Sequence, residues 1–332
     1  MGTIGRSLGS LLTLTVLTSV ATAQTLTWLG TLGGVYSTAN GVSDDGSVVV
    51  GTSDTERGVR AFRWTPTTGM VNLGTLGGLE SFADSVSADG SVIVGAADTS
   101  TNERRAHRWT HSTGMQIVEP RGTGSSARSV SADGSVIAGG YRVSFSPLLD
   151  HSYVRTPIQT YTLEPFAGIG AYGGKISRDG TVVVGSSTIY PAPSATTRAF
   201  RWTAAGGMQN LGQLGTGVSN HSSADCLSSD GSIVYGISDQ GTGGNRVMFR
   251  WTEADGMQST GVNMNPTDTT TDGSVVVGHV DFVRAVRWTQ QNGLEDLNTT
   301  YAHLLSDGSS LKIAVAISPD GRYIVGGLQR RK

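Results

Sequence analysis

Ser43-Asp44-Asp45-Gly46-Ser47-Val48-Val49-Val50-Gly51 (43–51) is the stretch that decides the fold. An Asp-Gly pair beside an apolar, β-branched run is the strongest short-range hairpin signal, because both turn residues accept positive φ. The pattern is a hydroxyl residue, any residue, Asp-Gly, then an apolar run ending in glycine. It returns with Asp-Gly at Asp89, Asp133, Asp179, Asp230, Asp272 and Asp320, at intervals of 42 to 51 residues. SVIVG (91–95), TVVVG (181–185) and RYIVG (322–326) repeat the second strand. An eighth Asp-Gly, at Asp307, lacks the run and reads as a loop.

Two more segments complete the unit. One is RAFRWT (60–65), RAHRWT (105–110), RAFRWT (198–203), FRWT (249–252) and RAVRWT (284–289). Six residues after each Trp, Met70, Met115, Met208, Met257 or Leu294 opens another short strand, as in GMVNLGTLGG (69–78). Four strands in about 44 residues, with no useful helical periodicity, is the period of a propeller blade. Residues 24–332 hold seven such units. The segment TLTWLGTLGG (25–34) matches the end of a unit, and VGGLQRRK (325–332) stops where a third strand would begin. The expectation is therefore all-β: a seven-bladed β-propeller of four-stranded blades, closed by the N-terminal strand completing the last blade. Closure of that kind removes exposed sheet edges, whereas an open β-solenoid has no reason to begin in mid-unit.

Composition sets the setting. Arg6, the uncharged apolar stretch Leu8 to Val20 and Ala21-Thr22-Ala23 form a signal-peptide pattern with cleavage after Ala23. The domain expectation is thus a signal peptide over 1–23 and one propeller over 24–332, secreted or periplasmic, with a retained membrane anchor as the competing reading. After cleavage no apolar segment is long enough to span a bilayer. The one cysteine, Cys226, excludes an intramolecular disulfide framework. Charged residues make up 15% and the formal net charge is -2, so neither a nucleic-acid footprint nor a polybasic membrane surface is present. The chain holds 47 glycines against 9 prolines, and the glycines recur at fixed places, which argues for tight turns over disorder.

The combination of LGTLGG, S-x-DG-x-VVVG and RAFRWT-x-x-x-x-GM resembles the HAF-type extracellular repeat family of bacteria, and the likeness runs over all seven units. It implies a surface or secreted repeat protein and brings no established reaction with it. The stretch Ser318-Pro319-Asp320-Gly321 is also similar to the hairpin of Tol-type propellers. It differs from the sialidase-type Asp-box, which has a residue between Asp and Gly.

Residues present in every unit are better explained by the blade than by a site. The repeated aspartates are read as turn caps instead of a metal-binding ring, and the repeated tryptophans as filler between blades instead of sugar platforms. His107 occupies a slot that is otherwise apolar and is read as a packed histidine. No zinc, calcium, nucleotide or nucleophile motif occurs, so no metal, cofactor or catalytic residue is assigned. Function is expected where the units differ. The Asp-Gly turns and the short turns between third and fourth strands share one face, and the longer, variable loops share the other. On the inner strands, unlike polar residues follow a repeated Ala slot, and Asn40, Asp84, Arg128 and Asp225 are the candidate channel ligands. The third unit replaces RAFRWT with SYVRT (152–156), and its insertion makes Tyr141, Phe145, His151 and Tyr153 a second candidate site. A monomeric, non-catalytic module that binds a carbohydrate or a protein fits these features. The alternatives are a polysaccharide hydrolase or lyase using Asp84 and Asp225, and a structural component of the cell envelope.

Overall fold

The computed structural model describes residues 24–329 apart from 120, 123, 146, 147, 168, 190–195, 218, 219, 242–244 and 306. The signal-peptide expectation lies outside the described residues. The first blade sets the pattern: Ser37–Val42, Val49–Thr55, Gly58–Thr65 and Gly69–Asn72 pair in order as an antiparallel meander. Five more four-stranded sheets follow, with inner strands Gly77–Val86, Gly124–Val130, Ala171–Ile176, Ser222–Leu227 and Asn265–Thr269.

The expected seven four-stranded blades are corrected to a six-bladed propeller of four-stranded blades. The last unit contributes a two-stranded sheet, Ser310–Ile317 with Ile324–Gln329, and no N-terminal strand completes it. The hydrogen bonds of the N-terminal segment explain why. Leu32 N donates to Ser53 Oγ at 2.9 Å and Gly34 N to Asp54 O at 3.1 Å, so the segment is tied to the first blade. Ser37 Oγ donates to Gly30 O at 2.7 Å, as Ser81 Oγ does to Gly74 O at 2.6 Å, so this part serves as an inter-blade linker. Leu29 and Leu32 pack with Val325 against Ala39, Val49 and Phe62. The junction between the two-stranded sheet and the first blade is therefore held by side-chain packing. A short helix, Leu297–Thr300, capped by Asp296, leads from the sixth blade into that sheet.

The core is distributed between neighbouring sheets. Trp202 and Phe200 of the fourth blade pack on Val136, Ala138 and Val154 of the third, and Trp251 and Phe249 of the fifth on Val182 and Val184 of the fourth. Burying each such Val or Phe side chain contributes about 1.5–3 kcal/mol. His107 fills the slot of Phe62 and Phe200 and is fully buried. Its Nε2 donates to Phe82 O at 2.9 Å, and burial lowers its pKa to about 4.

Each Asp-Gly turn is built alike. Ser43 Oγ donates to Asp45 Oδ1 at 2.8 Å and accepts from Val48 N, while Asp45 Oδ1 also accepts from Ser47 N, and Gly46 stands at φ +72°. The backbone N–H of Ser47 and the Ser43 hydroxyl lower the Asp45 pKa to about 2. The carboxylate is consumed by the turn, which is what repetition at every unit implied.

Candidate functional site

Every inner strand slips out of register at the same place. Against their second strands, the ladders skip Asn40, Asp84, Arg128, Gly174, Asp225, Thr267 and Val315. These β-bulges fall on the positions marked by unlike polar residues in the sequence, and a bulge re-aims its side chains out of the alternating pattern. The glycine that closes each apolar run is explained by the same geometry. A Cβ at Gly51, Gly95, Gly139, Gly185, Gly236, Gly278 or Gly326 would lie 1.9 to 2.2 Å from the carbonyl oxygen two residues before the bulge.

The inner strands surround a central cavity of about 130 Å3. Asn40, Asp84, Lys175 and Asp268 line it together with an apolar band that includes Val42, Val86, Val130, Ile176 and Leu227. Asn40 and Asp84 of the four expected channel ligands are in this wall; Arg128 and Asp225 are not. Asn40 Nδ2 is already donated to Ala83 O at 2.9 Å. Arg128 is exposed, and Asp225, half-buried, accepts from Ser223 Oγ at 3.1 Å. Burial raises the Asp84 pKa to about 6 against the opposing pull of Arg128, Lys175 and Arg104. Burial likewise raises Asp225 to about 7, offset by Ser223, the Ile237 N–H, Arg246 and Lys175. Among the described residues no group of three His, Cys, Asp or Glu side chains is placed to hold a metal ion.

At the Asp-Gly face a belt of backbone hydrogen bonds encircles the channel. Asp44 N donates to Ala88 O, Ala88 N to Ala132 O, Ala132 N to Arg178 O, Arg178 N to Ser229 O, Ser229 N to Thr271 O and Thr271 N to Pro319 O, all at 2.8–3.0 Å. The belt stops at Pro319, which has no N–H to give to Asp44. Across this ring, Arg178 forms a bidentate pair with Asp44, with Nη1 to Oδ1 at 2.7 Å and Nη2 to Oδ2 as the second contact. The partners come from the fourth and first blades, so their side chains bridge the opening. Sequence reasoning missed Lys175, Asp268 and this pair. The signal for the pair was present: the second position of the S-x-D-G motif carries Asp44 and Arg178 among smaller residues.

The opposite, loop-rich face displays several exposed apolar side chains, and the Asp-Gly face displays Ile158, 89% exposed, on the turn after Leu148–Arg155. Tyr36 is 71% exposed, Leu79 64%, Phe145 66% and Phe282 68%. Phe282 sits on a two-residue turn with Asp281 in which both residues have positive φ, 52° and 56°, and its ring stacks on His279 at 4.0 Å. Non-glycine residues held there store about 1–3 kcal/mol each, a cost usually tolerated at functional positions.

The third-blade candidates divide. Tyr153 belongs to the core: it is fully buried, pairs opposite Gly139 as Phe62 does opposite Gly51, and donates to Ser126 O at 3.2 Å. Its assignment to a binding site is corrected, because the SYVRT strand keeps the same register as RAFRWT. Tyr141 and His151 meet edge to face at 5.8 Å, with Arg121 over the Tyr141 ring at 4.8 Å. Phe145, with Arg142 over its ring at 5.1 Å, is displayed at the tip.

No family model and no curated protein matches the chain. Solved structures do. An oligogalacturonate lyase from Vibrio parahaemolyticus is 10% identical over 90% of this chain and 91% of its own, with a TM-score of 0.58. The β-propeller domain of the Trilobed protease from Pyrococcus furiosus, described as having an open velcro topology, is 11% identical over 79% and 83%, with a TM-score of 0.52. A TolB candidate from Agrobacterium tumefaciens is 13% identical over 90% and 91%, with a TM-score of 0.50. At these identities the likeness shows the propeller fold. No helix among the described residues is long and apolar enough to cross a membrane.

Proposed function

We propose that the protein is an exported, non-catalytic binding propeller that engages a carbohydrate or protein ligand through its loop-rich face. The observation that carries this reading is the asymmetry of the two faces. One is a belt of backbone hydrogen bonds bridged by Asp44 and Arg178, and the other displays Tyr36, Leu79, Phe145 and Phe282 on loops and strand ends. Loops on a rigid scaffold are the common carriers of recognition. Export is supported by the signal-peptide pattern over residues 1–23 and by the resemblance to HAF-type extracellular repeats.

The test is a panel of glycans and envelope proteins offered to the chain from residue 24 onward. A binder that weakens at least tenfold with Phe145→Ser or Phe282→Ser, and not with Ile158→Ser on the Asp-Gly face, supports the reading. A blank panel, or a binder sensitive to Ile158→Ser instead, overturns it. Oligogalacturonate belongs in the panel because two of the similar propellers are oligogalacturonate lyases, one described in complex with manganese. Its cleavage by this chain would replace the binding reading with the enzymatic one.

A further inference from the structure

We infer that the central cavity binds a short-chain carboxylate, with Lys175 as the cation that receives its head group and the apolar band below as the seat of its tail. Lys175 lines the cavity, yet among the described residues its ammonium makes no hydrogen bond and lies within 4.0 Å of no carboxylate. The acids around it are occupied or weakened. Asp268 Oδ2 accepts from Ile317 N at 3.0 Å, Asp225 accepts from Ser223, and Asp44 is spent on Arg178. Asp84, which also faces Arg128 and Arg104, and Asp225, which also faces Arg246, have raised pKa values. Their negative charge near neutral pH is therefore less than a formal count gives. Arg128, exposed on the neighbouring inner strand, stands outside the cavity wall, so Lys175 is the cation of the site.

The half-buried Lys175 has no protein acceptor for its ammonium among the described residues, which leaves it available to water or to an anionic ligand. The cavity, at about 130 Å3, is comparable to the roughly 150 Å3 engineered cavity that takes up benzene, so one small molecule fits. Its chemistry is two-sided. Lys175 stands one residue farther from the Asp-Gly turns than Ile176 and its equivalents Val42, Val86, Val130 and Leu227, while Arg178, on the other side of that band, is paired with Asp44. A carboxylate carrying three or so carbons of aliphatic tail matches both halves. A bare inorganic anion leaves the apolar half in contact with water.

The experiment is calorimetric titration of the chain from residue 24 onward with butyrate, using n-butylamine as the control of opposite charge. Butyrate is expected to bind, Lys175→Met to weaken it at least tenfold, Lys175→Arg to restore part of the affinity, and butylamine to give no heat. Val130→Phe fills the cavity from a different strand and is expected to abolish binding with Lys175 intact. Absence of butyrate binding overturns the inference. So does equal binding by Lys175→Met or Val130→Phe, or equal binding of butylamine. The site is separate from the loop-rich docking surface, so a chain that binds its glycan or protein partner and ignores butyrate removes this inference and leaves that reading standing.

Discussion

Gly236→Ala isolates the contact on which the channel geometry rests. Its Cβ would lie 1.9 Å from Ser223 O and 2.8 Å from two ring carbons of Phe249, where ordinary contact begins at 3.4 Å. Relief requires the inner and second strands of the fifth blade to part by about 1.5 Å or the bulge at Asp225 to be lost. Both neighbours are fixed, since Ser223 O is backbone and Phe249 is fully buried. Overpacking of this kind costs about 1–3 kcal/mol, and the upper half of that range applies because no flexible side chain can give way. For a domain of this size, 2–3 kcal/mol corresponds to a fall in melting temperature of about 3–5 °C. Gly256→Ala is the control: φ there is +66° with nothing within 4 Å of the new Cβ, so only backbone strain of about 1–2 kcal/mol is added. Thermal unfolding followed by circular dichroism and calorimetry measures both. A Gly236→Ala protein melting within about 1 °C of wild type would refute the close approach and, with it, the bulge that aims Asp225.

Further expectations follow from charge and packing. His107 is neutral in the fold, with a pKa lowered from 6.5 to about 4. Its contribution is therefore intact above pH 6.5 and is lost as pH falls toward 4. His107→Phe, which matches Phe62 and Phe200, should remove that loss in urea melts between pH 7 and 4; an unchanged pH profile would contradict the buried, neutral assignment. Asp225 has the opposite sign. With its pKa raised to about 7 from 3.8, the fold is penalised progressively as pH rises from 3.8 through 7. Asp225→Asn should then stabilise the protein above pH 7 and have little effect near pH 4, and equal effects at both would contradict it. Breaking the Asp44–Arg178 pair with Arg178→Met should cost no more than about 1 kcal/mol, because both partners are about one-third exposed. A double-mutant cycle with Asp44→Asn that returns more than about 3 kcal/mol of coupling would show the pair to be desolvated instead.

Much of this molecule is legible in its sequence, and the failures are instructive. Periodicity gives the four-stranded unit and its turn chemistry, because Ser43, Asp45 and Gly46 make local bonds that need no distant partner. Blade closure is not local. Whether Thr25–Leu29 pairs with Ile324–Gln329 depends on which acceptors Leu32 and Gly34 bond, and these are Ser53 and Asp54 of the first blade. Asn40, Asp84, Arg128 and Asp225 were visible as odd residues in a repeated slot. Their bulges were not, so the following position, where Lys175 and Asp268 reach the cavity, went unread. Tyr153 was misassigned because an altered motif suggested an altered strand, whereas the register is kept and the aromatic slot is filled as in other blades.

Hydrogen–deuterium exchange, with and without the tightest ligand from the binding panel, tests the two-faced propeller most directly. The account predicts new protection at 35–37, 143–145 and 279–285, where Tyr36, Phe145 and Phe282 are displayed, and none at the Asp-Gly turns. Protection confined to the turns around Asp45, Asp89 and Asp133 would contradict it.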